Sequence, residues 1–304
     1  MTRIPALSDY PVESSALPAL AGFGFTVAVV ASELDADGRA RTLVEAGEVE
    51  EIFPFASVTK PIVAWSALVA VERGLLDLEA PAGAGTAHSP AGAGTAHNPA
   101  GPALPGATVR HLLAHASGIA FDSDAVLAAP GTRRIYSNRG IEVLGELLEE
   151  ATATPLERWV EMTVLEPLGM SSVLVPGSPA HSGEGSARDL AVFARELAAP
   201  RLVGADLAAE ATSVAFPGLD GVLPGYGRQA PNDFGLGVEV RGRKHPHWTG
   251  TANSPATFGH FGQSGSFVWV DPVARRQAVF LGARPFRRAH VTQWPGLSDQ
   301  ILAL

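Results

Sequence analysis

Short apolar runs open the chain. Phe23 to Val30 and residues 40–46 are rich in Val and Leu, and the polar stretch Glu33 to Gly38 between them holds an Asp37-Gly38 pair. β-branched content on either side of Asp-Gly predicts two strands joined by a turn. The next apolar run, Ile62 to Val71, predicts a helix that starts at Ser57 and ends near Gly74. The middle of the chain then reads as helical. Val109 to Gly118 has a Leu pair and a terminal Gly, the pattern of a short helix with a glycine stop. Arg139 to Glu150 is amphipathic, Pro155 to Leu165 follows with Thr154 as its cap, and Ser186 caps a helix through Ala198 with Asp189 in its first turn. From Phe234 the short runs return: Phe234–Val240, Phe258–Phe261, Ser266–Val270 and Gln277–Gly282 read as strands, with Asp271-Pro272 turning between two of them. Trp294 to Leu304 reads as a closing helix.

Strands at both ends around a helical middle imply an α/β lobe made of residues 1–75 and 211–304, with an inserted helical lobe at 76–210. The insertion contains a tandem duplication, Ala82-Gly-Ala-Gly-Thr-Ala-His-Ser-Pro90 followed by Ala91-Gly-Ala-Gly-Thr-Ala-His-Asn-Pro99. Two copies are too few for a solenoid. His88 and His97 have no carboxylate or thiol beside them, so the repeat reads as a flexible loop rather than a metal site.

Composition narrows the function classes. A chain of 304 residues that is 46% hydrophobic can bury a large core. A net charge of −9 without a basic cluster argues against nucleic acid and against an anionic membrane surface. Zero cysteines exclude disulfides, thiolate metal sites and a Cys nucleophile. The apolar stretch Ala16 to Ala31 is interrupted by Pro18, Gly22 and Gly24, and Asp9 and Glu13 precede it against a single Arg3, the wrong charge for a signal peptide. A soluble, cytoplasmic protein is the expectation.

The candidate chemistry begins at Ser57-Val58-Thr59-Lys60. Residues three apart share one face of a helix, which sets the Lys60 amine beside the Ser57 hydroxyl. A serine is a poor nucleophile until a base takes its proton, and a lysine serves once burial lowers its pKa. The chain has two lysines, Lys60 and Lys244, against twenty arginines. Tyr136, one of three tyrosines, stands in Tyr136-Ser137-Asn138 just before a helix. A phenol needs a neighbouring cation to act as a base, and Lys60 is a candidate for it. Asn138 offers both a donor and an acceptor. His111 and His115 lie four apart with no Glu between them, so they read as structural.

Together with His260-Phe261-Gly262 and Gln263-Ser264-Gly265 on a late strand, these stretches resemble the serine β-lactamase and penicillin-binding-protein superfamily. The likeness is greatest to the branch of class C β-lactamases, D-alanyl-D-alanine carboxypeptidases and family VIII esterases. Supporting stretches are His111 to Gly118, Glu166-Pro167-Leu168-Gly169-Met170 and Ser186 to Leu190. The resemblance implies an antiparallel sheet flanked by helices, with an inserted helical lobe. It implies that Ser57 forms an acyl-enzyme and that Lys60 and Tyr136 share the proton work. Asn138 would contact Lys60 and the substrate, the N–H groups of Ser57 and Gln263 would form the oxyanion hole, and His260 and Gly262 would complete the substrate strand. It implies no metal and no organic cofactor, and no separate deacylating Glu is evident. The third motif departs from the Lys-Thr-Gly that holds a substrate carboxylate: His260 is mostly neutral at pH 7 and Phe261 has no hydroxyl. Phe261 either replaces that polar contact with an apolar wall or, since side chains alternate along a strand, points into the core. The expected activity is a serine hydrolase for small esters or amides. A β-lactamase or D,D-carboxypeptidase is the alternative, and a non-catalytic binding member of the fold is a second.

Overall fold

A computed structural model describes residues 16–35, 39–83 and 102–304. The two nine-residue repeats with His88 and His97, apart from Ala82 and Gly83, and the Asp37-Gly38 turn lie outside the described residues. The strands are β1 Val27–Leu34, β2 Ala40–Gly47, β3 Phe53–Pro54, β4 Glu184–Gly185, β5 Gly221–Leu223, β6 Gly227–Gln229, β7 Glu239–Val240, β8 Phe258–Gly262, β9 Ser266–Asp271 and β10 Arg276–Gly282. The helices are α1 Thr59–Glu72, α2 Val109–Leu113, α3 Asn138–Thr152, α4 Leu156–Val160, α5 Glu166–Leu168, α6 Ala187–Ala198, α7 Ala205–Ala211 and α8 Arg288–Leu302.

Six strands form one antiparallel sheet in the order β2-β1-β10-β9-β8-β7, so the two ends of the chain meet at the β1–β10 pairing, Val27 opposite Gly282 through Glu33 opposite Arg276. Helices cover both faces. On one face α6 packs on β1, β9 and β10, and its apolar stripe joins the larger core around α1. On the other, α8 closes an aromatic core of Phe261, Phe267, Trp269, Phe280 and Trp294. Helix α6 falls within the 76–210 stretch expected to form the helical lobe, yet it lies on the sheet.

Helix α1 is apolar all round and is buried from Thr59 to Ala70, as a helix through the middle of a molecule must be. Burying each large apolar side chain on it contributes about 1.5–3 kcal/mol. Its polar groups are matched: the Trp65 indole N–H donates to the buried Glu196 carboxylate at 3.0 Å, and the Trp159 indole N–H donates to the Ser66 carbonyl at 3.0 Å.

Several elements differ from the sequence expectation, each for a local reason. Phe23 and Phe25 precede β1 and pack against each other and against the α8 side of the sheet instead of extending the strand. The strand expected from Phe234 shrinks to Glu239–Val240, because a Cβ at Gly235 would strike the Ala211 carbonyl and one at Gly237 (φ 86°) would strike the Ala64 side chain. Helix α2 stops at Leu113, and His115 rather than Gly118 takes the first left-handed conformation beyond it. Glu149, not Thr154, accepts the Leu156 N–H at the start of α4, which continues through the π-helical turn Glu161–Leu165 into α5. Helix α8 begins six residues before Trp294 and runs through Pro295, with the Arg287 N–H donating to His290 Nδ1 at 3.1 Å. The Ser186 cap is present, its hydroxyl accepting the Asp189 N–H at 3.2 Å.

Phe261 lies in the α8 aromatic core. Its ring packs on Phe286 at 5.2 Å, Trp248 at 5.8 Å, Tyr226 at 5.9 Å and Trp294 at 6.0 Å between centroids. Phe261→Ala is therefore expected to lower unfolding free energy by about 3–5 kcal/mol, measured by urea denaturation. A loss under 1 kcal/mol would mean that the ring is dispensable to the core.

Candidate active site

Ser57 lies in a 3-10 turn, Ala56–Val58, that runs directly into α1. The residue before it, Ala56, has φ 46°, a left-handed conformation that costs free energy for a residue with a Cβ. Neighbouring groups hold the turn in place. The Thr59 hydroxyl donates to the Ala56 carbonyl at 2.6 Å and accepts the Gly183 N–H at 2.8 Å. The Phe55 N–H donates to the Gly183 carbonyl at 2.7 Å, and the Ser266 hydroxyl donates to the Phe55 carbonyl at 2.7 Å. Strand β8 passes close by at Gly262. A Cβ there would strike the Phe55 carbonyl and come within 3.1 Å of the Ser57 nitrogen, so only glycine fits.

Lys60 is fully buried one turn along from Ser57. Its Nζ donates to Ser57 Oγ at 3.1 Å, Asn138 Oδ1 at 2.7 Å and the Ala180 carbonyl at 2.9 Å. Burial lowers its pKa to about 7, with Glu142 opposing weakly. Near neutral pH a large fraction of Lys60 is the free amine, with a lone pair beside a serine hydroxyl.

Tyr136 completes the group. Its hydroxyl hydrogen-bonds with Ser57, and Lys60 Nζ stands 4.7 Å from its ring centroid. Burial raises its pKa above the usual phenol value, and the Ser57 hydrogen bond offsets this only in part. The sequence had suggested a Lys60 cation that activates the phenol. Burial changes the division: it favours the neutral form of both groups, so the phenol keeps its proton while the lysine loses one.

The segment bearing Tyr136 is fixed from behind. His115, buried and held neutral by that burial, packs tilted against the Tyr136 ring, 4.6 Å between centroids. His115 also accepts the Ser137 N–H at Nδ1 and the Ile135 N–H at its carbonyl. The Ser137 hydroxyl caps α3 by accepting the Gly140 N–H at 2.9 Å, which sets Asn138 as the first residue of that helix. Arg134 is buried, and among the described residues no carboxylate is hydrogen-bonded to it. It donates instead to the carbonyls of Ala114, Asn232, Ala215 and Phe216, fastening the Tyr136 segment to three neighbouring loops. His111 caps α2 by accepting the Thr108 N–H, a role in the fold of α2.

A cavity of about 340 Å³ opens over Ser57, Tyr136, Asn138, His260 and Gln263. Its remaining walls are mostly apolar, from Phe121, Leu223, Pro224, Phe234 and Phe261. The structure thus brings Ser57, Lys60, Tyr136, Asn138, His260, Gly262 and Gln263 to one place, whereas most of Phe261 belongs to the core. His260 is neutral, its pKa lowered to about 4 by burial and by Lys60, and its Nδ1 lies 2.7 Å from the Phe261 carbonyl.

Two lining residues had no signal in the sequence pattern. His181 stands exposed at the mouth. Glu239 lies at the back of the cavity. Burial pushes its carboxyl up, but Lys244 and His247 outweigh that and hold it well below the usual range. Lys244 Nζ at 2.8 Å, His247 Nε2 at 2.7 Å and the Trp248 indole N–H at 2.8 Å all bond to this carboxylate, which leaves it engaged as a structural anion. The rarity of lysine was the available clue: Lys244 is as buried as Lys60.

The Beta-lactamase family model matches residues 29–297 of this chain. A crystal structure of a beta-lactamase from Mycobacterium bovis is 46% identical and superposes with a TM-score of 0.85, covering 95% of this chain and 98% of that one. EstCE1, described as a hydrolase with promiscuous acyltransferase activity, is 17% identical with a TM-score of 0.67, over 95% of this chain and 97% of that one, a likeness of fold alone. Among curated proteins, one from Salmonella paratyphi B named "Putative D-alanyl-D-alanine carboxypeptidase" is 30% identical over 201 residues, covering 51% of this chain. The chain spans about half the length of the curated relatives it matches, 46% for this one.

With two lysines in the chain, labelling with [13C]lysine gives two side-chain signals. One of them is expected to titrate near pH 7 and to vanish in Lys60→Met. A Lys60 signal that stays protonated above pH 9 would show that burial does not free the amine.

Proposed function

Since the chain belongs to the beta-lactamase family, we propose that it is a serine hydrolase that cleaves small esters or amides through an acyl-enzyme on Ser57. The observation that carries this reading is the buried Lys60 amine, 3.1 Å from Ser57 Oγ and with its pKa lowered to about 7. In the proposed cycle neutral Lys60 takes the Ser57 proton as Oγ attacks the carbonyl carbon. The N–H groups of Ser57 and Gln263 receive the oxyanion; losing one such donor costs about 10²–10³ in rate. The tetrahedral adduct then expels its alcohol or amine, which takes a proton from the Tyr136 hydroxyl, and Lys60 returns a proton to Tyr136. Water then attacks the acyl carbon as its proton passes to the same pair, and the bond to Ser57 Oγ breaks as Oγ takes a proton back, which releases the acid and free Ser57. Asn138 holds the Lys60 amine in place through its Oδ1.

Neutral His260 and the apolar cavity walls favour uncharged acyl groups over carboxylates, because a carboxylate there would lose its hydration without a cation to replace it. A second reading, hydrolysis of β-lactams, is favoured by the Mycobacterium bovis relative and its 46% identity. Turnover of p-nitrophenyl butyrate measured against nitrocefin separates the two.

A fluorophosphonate is expected to add to Ser57 alone, read by mass spectrometry of the labelled peptide. Ser57→Ala is expected to lose both label and turnover while its melting temperature is kept; turnover surviving in that variant would end the acyl-enzyme reading. Lys60→Ala and Tyr136→Phe should each lower kcat by at least about 10²-fold. The double variant should lose less than the product, as groups acting together do. The base is the deprotonated lysine, so kcat/KM should rise with pH up to about 7 and level off above it. A profile flat from pH 5 to 8 would exclude Lys60 as the base.

A further inference from the structure

Beside the cavity lies a second hollow of about 250 Å³, lined by the apolar Phe121, Leu127, Ile135, Val222 and Pro224 together with Tyr136, Arg133 and Arg134. It shares Phe121, Tyr136 and Pro224 with the cavity over Ser57, so the two hollows adjoin at these side chains. Its walls hold large apolar side chains out in solvent: Phe121 is 48% exposed, Leu127 61% and Val222 55%. Clustered exposed apolar groups at the mouth of a polar site mark a place where a ligand covers them.

Both walls are built before any ligand arrives. One is the segment after α2, tied by the Ala120 N–H to the Ala125 carbonyl and the Leu127 N–H to the Gly118 carbonyl, both at 2.8 Å. The other is the β5–β6 hairpin, in which Val222 pairs with Arg228. The strand-like bridge from Arg134 to Gly221 and the Arg134 N–H to the Asp220 carbonyl at 2.9 Å join the two. A groove with fixed walls binds without an ordering cost.

We propose that this second hollow is the leaving-group subsite, and that the substrates are esters or amides whose alcohol or amine part is a bulky apolar group. The assignment rests on the hydrolase reading above, in which Tyr136 gives its proton to the departing oxygen or nitrogen. The group that departs must then lie against Tyr136, and the hollow begins at Tyr136. The acyl part is left to the cavity over Ser57, between Leu223, Phe234 and Phe261.

The test compares two series of neutral esters: ethyl, butyl, hexyl and cyclohexylmethyl acetate, whose alcohols differ little in acidity, and ethyl acetate, butyrate and octanoate. In the wild type, kcat/KM is expected to rise at least roughly 10-fold from ethyl to hexyl acetate, the scale on which apolar pockets read methylenes. Leu127→Asp and Val222→Asp change exposed side chains, and a thermal melt checks that they fold. Each should shrink the hexyl-to-ethyl acetate ratio several-fold and leave the octanoate-to-acetate ratio as in the wild type. If Ser57 takes the fluorophosphonate label but kcat/KM does not depend on alcohol length, or if the two variants alter the acyl series instead, the subsite assignment is overturned and the hydrolase reading stands. If Ser57 takes no label and no ester is turned over, both fall.

Discussion

Lys60 is a cation-forming side chain with no carboxylate bonded to it among the described residues, set inside the molecule between Ser57, Asn138 and the Ala180 carbonyl. Much of the surrounding structure follows from keeping it there. Taking an ammonium group out of water is costly unless it is paired or gives up its proton. Here no ion pair forms; three neutral acceptors surround the amine and burial brings its pKa down to about 7. Those acceptors come from three separate parts of the chain: the turn before α1, the first residue of α3 and the loop before β4. The site exists only when α1, α3 and that loop are packed together.

The second buried lysine shows the contrast. Lys244 donates to Glu239, and with His247 and Trp248 it engages both oxygens of that carboxylate. Burial lowers the pKa of Lys244 while Glu239 raises it in opposition. One lysine is buried with a counter-ion and ties β7 to the loop that follows it. The other is buried without one and can change protonation state near neutral pH. The same side chain serves as a tie or as a base according to the charge beside it.

Strain and clamping are placed around the same point. Ala56 and His115 both have left-handed backbones, one directly before Ser57 and the other against the Tyr136 ring. Thr59, Ser266 and the four carbonyl bonds of Arg134 hold these segments, so Ser57 and Tyr136 are positioned by the fold and need no substrate to assemble them. Preorganised groups of this kind lower barriers because little has to move during the reaction.

The sequence by itself determined the strands and helices with long periodic patterns, and the Ser57, Lys60, Tyr136 and Asn138 set. Ser57 with Lys60 three residues on, and the apolar runs at β9 and β10, are features of local spacing; Tyr136 and Asn138 were marked by the family resemblance of the Tyr136-Ser137-Asn138 stretch. It also marked both lysines by their rarity. Tertiary structure decided what depends on residues far apart in the chain. The Phe234 strand gave way to close backbone contacts at Gly235 and Gly237, and α8 ran through Pro295 because its aromatic face had a core to fill. Phe261 turned mostly into that core and His260 toward Tyr136, a choice that two-residue alternation leaves open until β8 has a partner on each face. Glu239 entered the cavity wall because Lys244, His247 and Trp248 fold back onto it. Above all, the protonation states of Lys60 and Tyr136 came from burial, and burial is a property of the packed molecule that no local pattern of residues contains.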